Sequence, residues 1–109
     1  NDVEGVLQDI HWALGSFAYF PSYAVGAAIA AQLMEGTRQD VPELDEQVAR
    51  GDFTGLFGWL RQNVHGYGAK LTSQDLIKQA TGRPISALPA LRYLEAKYLA
   101  DVPASSAAA

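Results

Sequence analysis

Gln8, Asp9, His11, Trp12, Tyr19 and Tyr23 crowd hydrogen-bonding and aromatic side chains into one short stretch of the chain. Imidazole and phenol donate and accept hydrogen bonds, a carboxamide does both, and a carboxylate near a histidine can orient its ring. On a helix, residues two apart point to different faces, so Asp9 suits a neighbouring helix end or loop as well as it suits His11. Each of these residues also has a structural reading. A histidine beside a tryptophan on an apolar helix is usually a satisfied packing residue, and tyrosines there are core aromatics with hydroxyls at the surface. Trp12 reads as packing.

Several chemistries find no footing. Zinc hydrolases use several ligands around an open position, commonly two histidines one helical turn apart. Here the histidines are His11 and His65, far apart, outside any H-E-x-x-H, and there is no cysteine to substitute. No metal ligand set is expected in this chain. The G-x-S-x-G turn and the Gly-rich phosphate and dinucleotide fingerprints are missing as well. His65 stands in a Gly-rich turn, where a helix end favours positive charge. Glu43, Asp45 and Glu46 form a solvated face near a helix start.

The elements that must position these residues are helical throughout. Val6, Leu7, Ile10 and Ala13 follow i, i+3, i+4 spacing, predicting an amphipathic helix over Val3 to Trp12, which Gly15-Ser16 breaks. Pro21 suits the first turn of a helix running on from Tyr23 to Gln39. A boundary falls at Asp40-Val41-Pro42, followed by a short helix with Leu44 and Val48 inward, a Glu46/Arg50 pair, and Gly51 as its stop. Asp52 is a candidate N-cap for a helix burying Phe53, Leu56, Phe57, Leu60 and Val64, and His65-Gly66-Tyr67-Gly68 ends it. Gly55 and Gly58 within it point to close packing against another element. Thr72 and Asp75 make a capping box for a helix through Ala80, stopped by Gly82 and Pro84. Leu88, Leu91, Leu94 and Tyr98 mark a last helix with Pro89 in its first turn, ending at Val102-Pro103. Strand-like alternation is absent, so the expected fold class is all-α. Residues 1–103 are expected to form a single helical domain or domain fragment, and 104–109 a disordered Ser/Ala tail.

Composition narrows the partners. With 49% hydrophobic and 18% charged residues, the chain can support a core, and one domain is what 109 residues allow. A net charge of -4 gives no basic footprint for nucleic acid. No Lys, Arg, Asp or Glu lies between His11 and Glu35, but Gly15, Ser16, Pro21, Ser22, Gly26 and Gln32 interrupt that span, so a buried helix is expected rather than a membrane crossing. The acidic start, Asn1-Asp2-Val3-Glu4, is unlike an export signal, and a cytoplasmic location is expected.

Two linked motifs carry a family resemblance. Gly5-Val6-Leu7-Gln8-Asp9-Ile10-His11-Trp12 matches the Gly-x-x-Gln-Asp-x-His-Trp motif of the carboxypeptidase Taq family, and Phe17-Ala18-Tyr19-Phe20-Pro21-Ser22-Tyr23 resembles the segment that follows it there. The likeness continues through Ala31-Gln32-Leu33, Leu44 to Phe53, Thr81-Gly82-Arg83-Pro84 and Leu91-Arg92-Tyr93-Leu94, leaving out the final tail. Ala13 stands where the family usually has serine. Ala18 replaces the usual glycine, adding a Cβ where the backbone could need a close approach or a glycine-only conformation.

The resemblance implies a multi-helix array like the C-terminal part of a helical zincin-type peptidase that removes single residues from peptide C-termini. It also implies that the H-E-x-x-H helix and a glutamate ligand lie upstream. Zinc or cobalt is then expected in a full-length member and no cofactor in this chain, which alone should be inactive. His11 and Tyr19 are the implied catalytic positions, donating hydrogen bonds to the oxyanion that develops at the substrate carbonyl. Gln8, Asp9, Trp12 and Tyr23 are implied to bind substrate or support those two. Expected partners are peptide C-termini and the upstream catalytic segment, with neither nucleic acid nor membrane. The alternative is a free-standing helical interaction or oligomerisation module, whose uncovered apolar surface would favour a homo-oligomer, a dimer first.

Overall fold

The computed structural model describes residues 4, 5 and 9–99. Among them every regular element is helical: α1 (Tyr19–Asp40), α2 (Leu44–Ala49), α3 (Thr54–Asn63), a 3-10 turn (His65–Tyr67), α4 (Ser73–Thr81) and α5 (Leu88–Tyr98). The all-α expectation holds. The tail and Val102-Pro103 lie outside the described residues.

α1 is the spine, with α2, α3, α4 and α5 all packed on it. It starts at Tyr19, earlier than the sequence suggests, and its first turn still accommodates Pro21, whose missing N–H would have had no helical partner there. At its far end the Asp40 carboxylate accepts a 2.7 Å hydrogen bond from the indole of Trp59, tying α1 to α3. Trp59, Leu44 and Ile77 are the buried apolar core, contributed by α3, α2 and α4 in turn. Gly36 on α1 lies under the Trp59 ring, where an added Cβ would sit 3.5 Å from a ring carbon. Gly55 explains itself similarly: a Cβ there would collide with the Gln47 side chain and come within 3.1 Å of Val41.

Local stop and start signals behave as their chemistry requires. Gly51 and Gly82 take positive φ, +77° and +71°, ending α2 and α4. The Thr72 hydroxyl accepts from the Asp75 N–H at 3.2 Å, the N-cap half of the predicted capping box, and donates to the Asp75 carboxylate at 2.6 Å. The N-cap position of α3 falls on Phe53 rather than on Asp52, one residue earlier, whose carboxylate accepts from the Thr54 N–H at 2.9 Å; its bonds to Thr54, side chain first and then backbone, hold its carboxyl below the usual range.

Three expectations need correction. The stretch Val3 to Trp12 contains no α-helix among its described residues. Residues 10–15 make a single turn that closes as a helix C-terminus does: the Ser16 N–H reaches the His11 carbonyl at 2.7 Å, the Gly15 N–H reaches Trp12 at 3.1 Å, and Gly15 has φ +75°. Ile10 is 66% exposed, so at this position the expected apolar stripe gains little burial to stabilise a helix. On α3 the inward face is Trp59, while Phe53 and Phe57 are 43% and 59% exposed and pack on each other with ring centroids 6.1 Å apart. On α5 the stripe Leu88, Leu91, Leu94, Tyr98 is likewise exposed and Pro89 is buried instead. Both elements are helical as their spacing predicts, but among the described residues nothing covers Phe53 and Phe57 or the α5 stripe, while Leu56, Leu60 and Val64 are half-buried.

Candidate functional site

The turn at residues 10–15 folds back over the start of α1 and stacks its side chains on the first helical turn. His11 lies on Tyr19 with ring centroids 4.3 Å apart and planes 21° from parallel. Phe20 meets His11 edge-on at 5.0 Å. Tyr23, one turn further along α1, donates a 3.1 Å hydrogen bond to the Tyr19 hydroxyl. That bond, together with the electrostatic field of Tyr19, raises the Tyr23 hydroxyl above its ordinary pKa. Trp12 leans on Phe17 at 5.8 Å and Phe20 at 6.3 Å.

His11, Trp12, Tyr19 and Tyr23 are thus brought together as one cluster. Asp9 stands beside it, its carboxylate 3.8 Å from His11 Nδ1, beyond hydrogen-bond length. That nitrogen is out of solvent and has no hydrogen-bond partner among the described residues, although the His11 side chain as a whole is 29% exposed. Gln8 lies outside the described residues. Ala18 has φ -93° and ψ 3°, in the bridge region at negative φ that L-residues can adopt, so the position does not require a glycine-only conformation.

Phe20 was not singled out from the sequence, yet it touches His11, Trp12, Tyr19 and Tyr23. Its signal was its place between two tyrosines in the motif. Gln32 was also passed over, read as an interruption in an apolar span. It is fully buried, and its carboxamide donates to the Thr81 hydroxyl at 2.9 Å, the Pro84 carbonyl at 3.0 Å and the Arg83 carbonyl at 3.3 Å, while accepting from the Ser86 N–H at 3.0 Å. One turn on, Glu35 binds both Arg83 and Arg92, the latter at 2.6 Å. These two guanidinium bonds, Arg83 first, hold the Glu35 carboxyl below its ordinary range. The pair Gln32 and Glu35 fixes the 82–87 loop and α5 to α1.

The residues of the cluster do not fit a metal by themselves. Zinc sites use three or more protein ligands, whereas here only Asp9 and His11 approach each other. Among the described residues no group of three or more His, Cys, Asp or Glu side chains is placed to hold an ion. Among them, too, no helix is long and apolar enough to cross a membrane.

The cluster and the scaffold around it have known counterparts. Residues 1–98 match the family model for carboxypeptidase Taq (M32) metallopeptidases. Carboxypeptidase 1 of Bacillus subtilis (strain 168) is 45% identical over 98 residues, 90% of this chain and 20% of that protein. Thermostable carboxypeptidase 1 of Pyrococcus furiosus is 41% identical over 96 residues, covering 88% of this chain and 19% of its own length. Among solved structures, metallocarboxypeptidase 1 of Trypanosoma cruzi superposes with a TM-score of 0.85 at 39% identity, over 91% of this chain and 21% of its own. The M32 carboxypeptidase from Deinococcus radiodurans R1 gives 0.83 at 41% identity, over 90% and 20%. This chain spans about one fifth of the length of the relatives it matches. Within that span, motif, helix order and sequence agree, and the chain belongs to the carboxypeptidase Taq (M32) metallopeptidase family.

Proposed function

We propose that this chain supplies part of the peptide-binding wall of a metal-dependent carboxypeptidase, with His11 and Tyr19 facing the carbonyl of the bond to be cleaved. The observation that carries this reading is the stacked His11–Tyr19 pair, with the Tyr23 hydroxyl donating to that of Tyr19. Accepting that bond leaves the Tyr19 hydroxyl proton free to point outward. A phenol so arranged donates to the oxygen that gains charge when a carbonyl is attacked, and an imidazole N–H beside it does the same. Asp9 and Trp12 hold the turn carrying His11, and Gln8 is assigned to the same support. The substrate is a peptide C-terminus.

The nucleophile has to be generated outside this chain, because its two histidines lie outside any H-E-x-x-H and it has no cysteine. Zinc, or cobalt in its place, is assigned to the upstream part of a full-length member, and the chain alone is inactive. The location proposed is the cytoplasm. The test is hydrolysis of an N-blocked dipeptide by the purified chain with added zinc or cobalt, and by a fusion in which this chain replaces the matching fifth of the Bacillus subtilis carboxypeptidase 1. The expected result is no cleavage by the chain and cleavage by the fusion. Metal-dependent cleavage by the chain alone would overturn the division of labour.

The exposed Phe53–Phe57 pair favours a second property, self-association of the isolated chain through α3. A dimer in sedimentation that dissociates on Phe57→Ser is the expected outcome; a monomer at all concentrations would remove this part of the proposal.

A further inference from the structure

The turn carrying His11 is held against α1 by aromatic rings. Its backbone hydrogen bonds close within residues 10–16, and the next one, from the Tyr19 N–H to the Ser16 carbonyl at 3.2 Å, fixes the corner without involving the His11 ring. Among the described residues no hydrogen bond links the His11 or Trp12 side chain to α1. Three ring contacts do so: His11 on Tyr19 at 4.3 Å, His11 against Phe20 at 5.0 Å and Trp12 against Phe20 at 6.3 Å. Two of the three fall on Phe20. Its ring also meets Tyr19 at 5.9 Å and Tyr23 at 6.4 Å. Trp12, Phe17, Tyr19 and Tyr23 are exposed, whereas Phe20 is half-buried. The hydrogen bonds that tie α1 to other parts of the fold begin at Gln32, about 18 Å further along at 1.5 Å per residue, so Phe20 lies well away from them.

We propose that Phe20 is a positioning residue of the site: its ring fixes the His11 imidazole over Tyr19 and so sets the direction of the hydrogen bonds these two offer a substrate carbonyl. The inference rests on the roles proposed above for His11 and Tyr19. Phe20 carries no polar side-chain atom and little open surface, so it acts through its neighbours rather than on the substrate. A stack by itself does not fix a ring. Aromatic pairs are favourable over a range of offsets, which lets one ring slide across the other. A second ring inclined at 67° to the imidazole closes off that sliding on the side where it sits. Tyr19 and Phe20 are consecutive on α1 and about 100° apart around the helix, so their contacts reach His11 from different directions. The precision matters because a misplacement of about 1 Å at a reacting centre can cost roughly 100-fold in rate.

Position and rate are read separately. In the chain itself, Phe20→Leu keeps an apolar side chain and removes the ring, while Phe20→Tyr keeps a ring. The chain has two histidines, so the proton NMR signals of His11 are identified by their absence in His11→Ala. Nuclear Overhauser contacts between the His11 and Tyr19 rings should be present in the unmodified chain and in Phe20→Tyr, and lost in Phe20→Leu with the midpoint of urea unfolding unchanged. Contacts that persist in Phe20→Leu overturn the proposal whatever happens to hydrolysis. Equal loss in Phe20→Tyr, or a large drop in the midpoint, does the same. In the fusion with the Bacillus subtilis carboxypeptidase 1 remainder, Phe20→Leu should lower kcat about 30-fold, short of the cost of a full 1 Å misplacement, and leave KM within about twofold. Added to His11→Ala it should cost nothing further, because a residue that acts through another loses its effect once that one is gone. An unchanged kcat, or an undiminished loss in the His11→Ala background, overturns the proposal. Full activity in His11→Ala would instead remove the reading of His11 on which the proposal rests, and the ring contacts in the chain then decide the positioning of the imidazole by themselves.

Discussion

Two groups of polar side chains sit on the same helix and are treated in opposite ways. Toward the second half of α1, Gln32 uses both the amide and the carbonyl end of its carboxamide in hydrogen bonds and is sealed from solvent. At the first turn, Tyr19 and Tyr23 share one hydrogen bond between them, and the adjacent His11 keeps a buried nitrogen without a partner among the described residues. A buried polar group left unpaired costs free energy, so native structures tolerate it mainly where something else completes it. The first group therefore serves the fold. The second has spare hydrogen-bonding capacity set among aromatic rings, which is what a surface that receives a substrate needs.

The comparison is broken or sharpened most directly by exchanging the two kinds of loss. Tyr19→Phe in the fusion enzyme should lower peptide hydrolysis about 100-fold, the scale of removing one oxyanion donor, while thermal unfolding stays close to that of the unmodified fusion. A variant with full activity would show that the aromatic cluster is packing after all. Gln32→Leu should do the opposite. It strands the Ser86 N–H and the Pro84 carbonyl and should cost about 2–3 kcal/mol in urea unfolding of the chain. Unchanged stability would mean that the 82–87 loop is held by other contacts.

The contrast between these groups also marks where sequence reading succeeded. Signals that act over three or four residues were legible: the Thr72–Asp75 cap, the Gly51 and Gly82 stops, and the motif that brings His11 and Tyr19 into one turn and one helix start. Signals that need a distant partner were not. Periodicity marked Phe53, Phe57, Leu88 and Leu91 as apolar stripes but carries no information on what, if anything, covers them. Gln32 was read as a break in an apolar run because its partners Thr81, Arg83, Pro84 and Ser86 lie about fifty residues away. The same distance hid the Glu35 pairing with Arg83 and Arg92, which ties the 82–87 loop and α5 to α1.

The pairing at Glu35 gives a smaller, pH-dependent test. Arg92→Ala should cost about 0.5–1 kcal/mol at neutral pH, the range of a partly exposed ion pair screened by solvent. The sign follows from the depressed Glu35 pKa: stability from this carboxylate is fully present above its ordinary value of 4.5 and is lost as pH falls through the lower folded value. The difference between unmodified and variant chain should therefore be constant near neutrality and shrink below about pH 4.5. A difference that persists unchanged into strong acid would assign it to lost packing of the arginine stem.

The smallest expected effect lies in the open cluster. Tyr23 donates to Tyr19, which favours its neutral form and raises its pKa. Ultraviolet titration of the phenols should show Tyr23 ionising above the ordinary tyrosine value, with the shift lost in Tyr19→Phe. Because a raised acid pKa means stability present below the unfolded value and lost as pH rises through the folded one, any coupling to folding belongs on the alkaline side. An upward shift that survives Tyr19→Phe would place its cause outside the hydroxyl pair. The Tyr19 proton would then no longer be directed outward by Tyr23, and the preorganisation proposed for the carbonyl site would lose its structural basis.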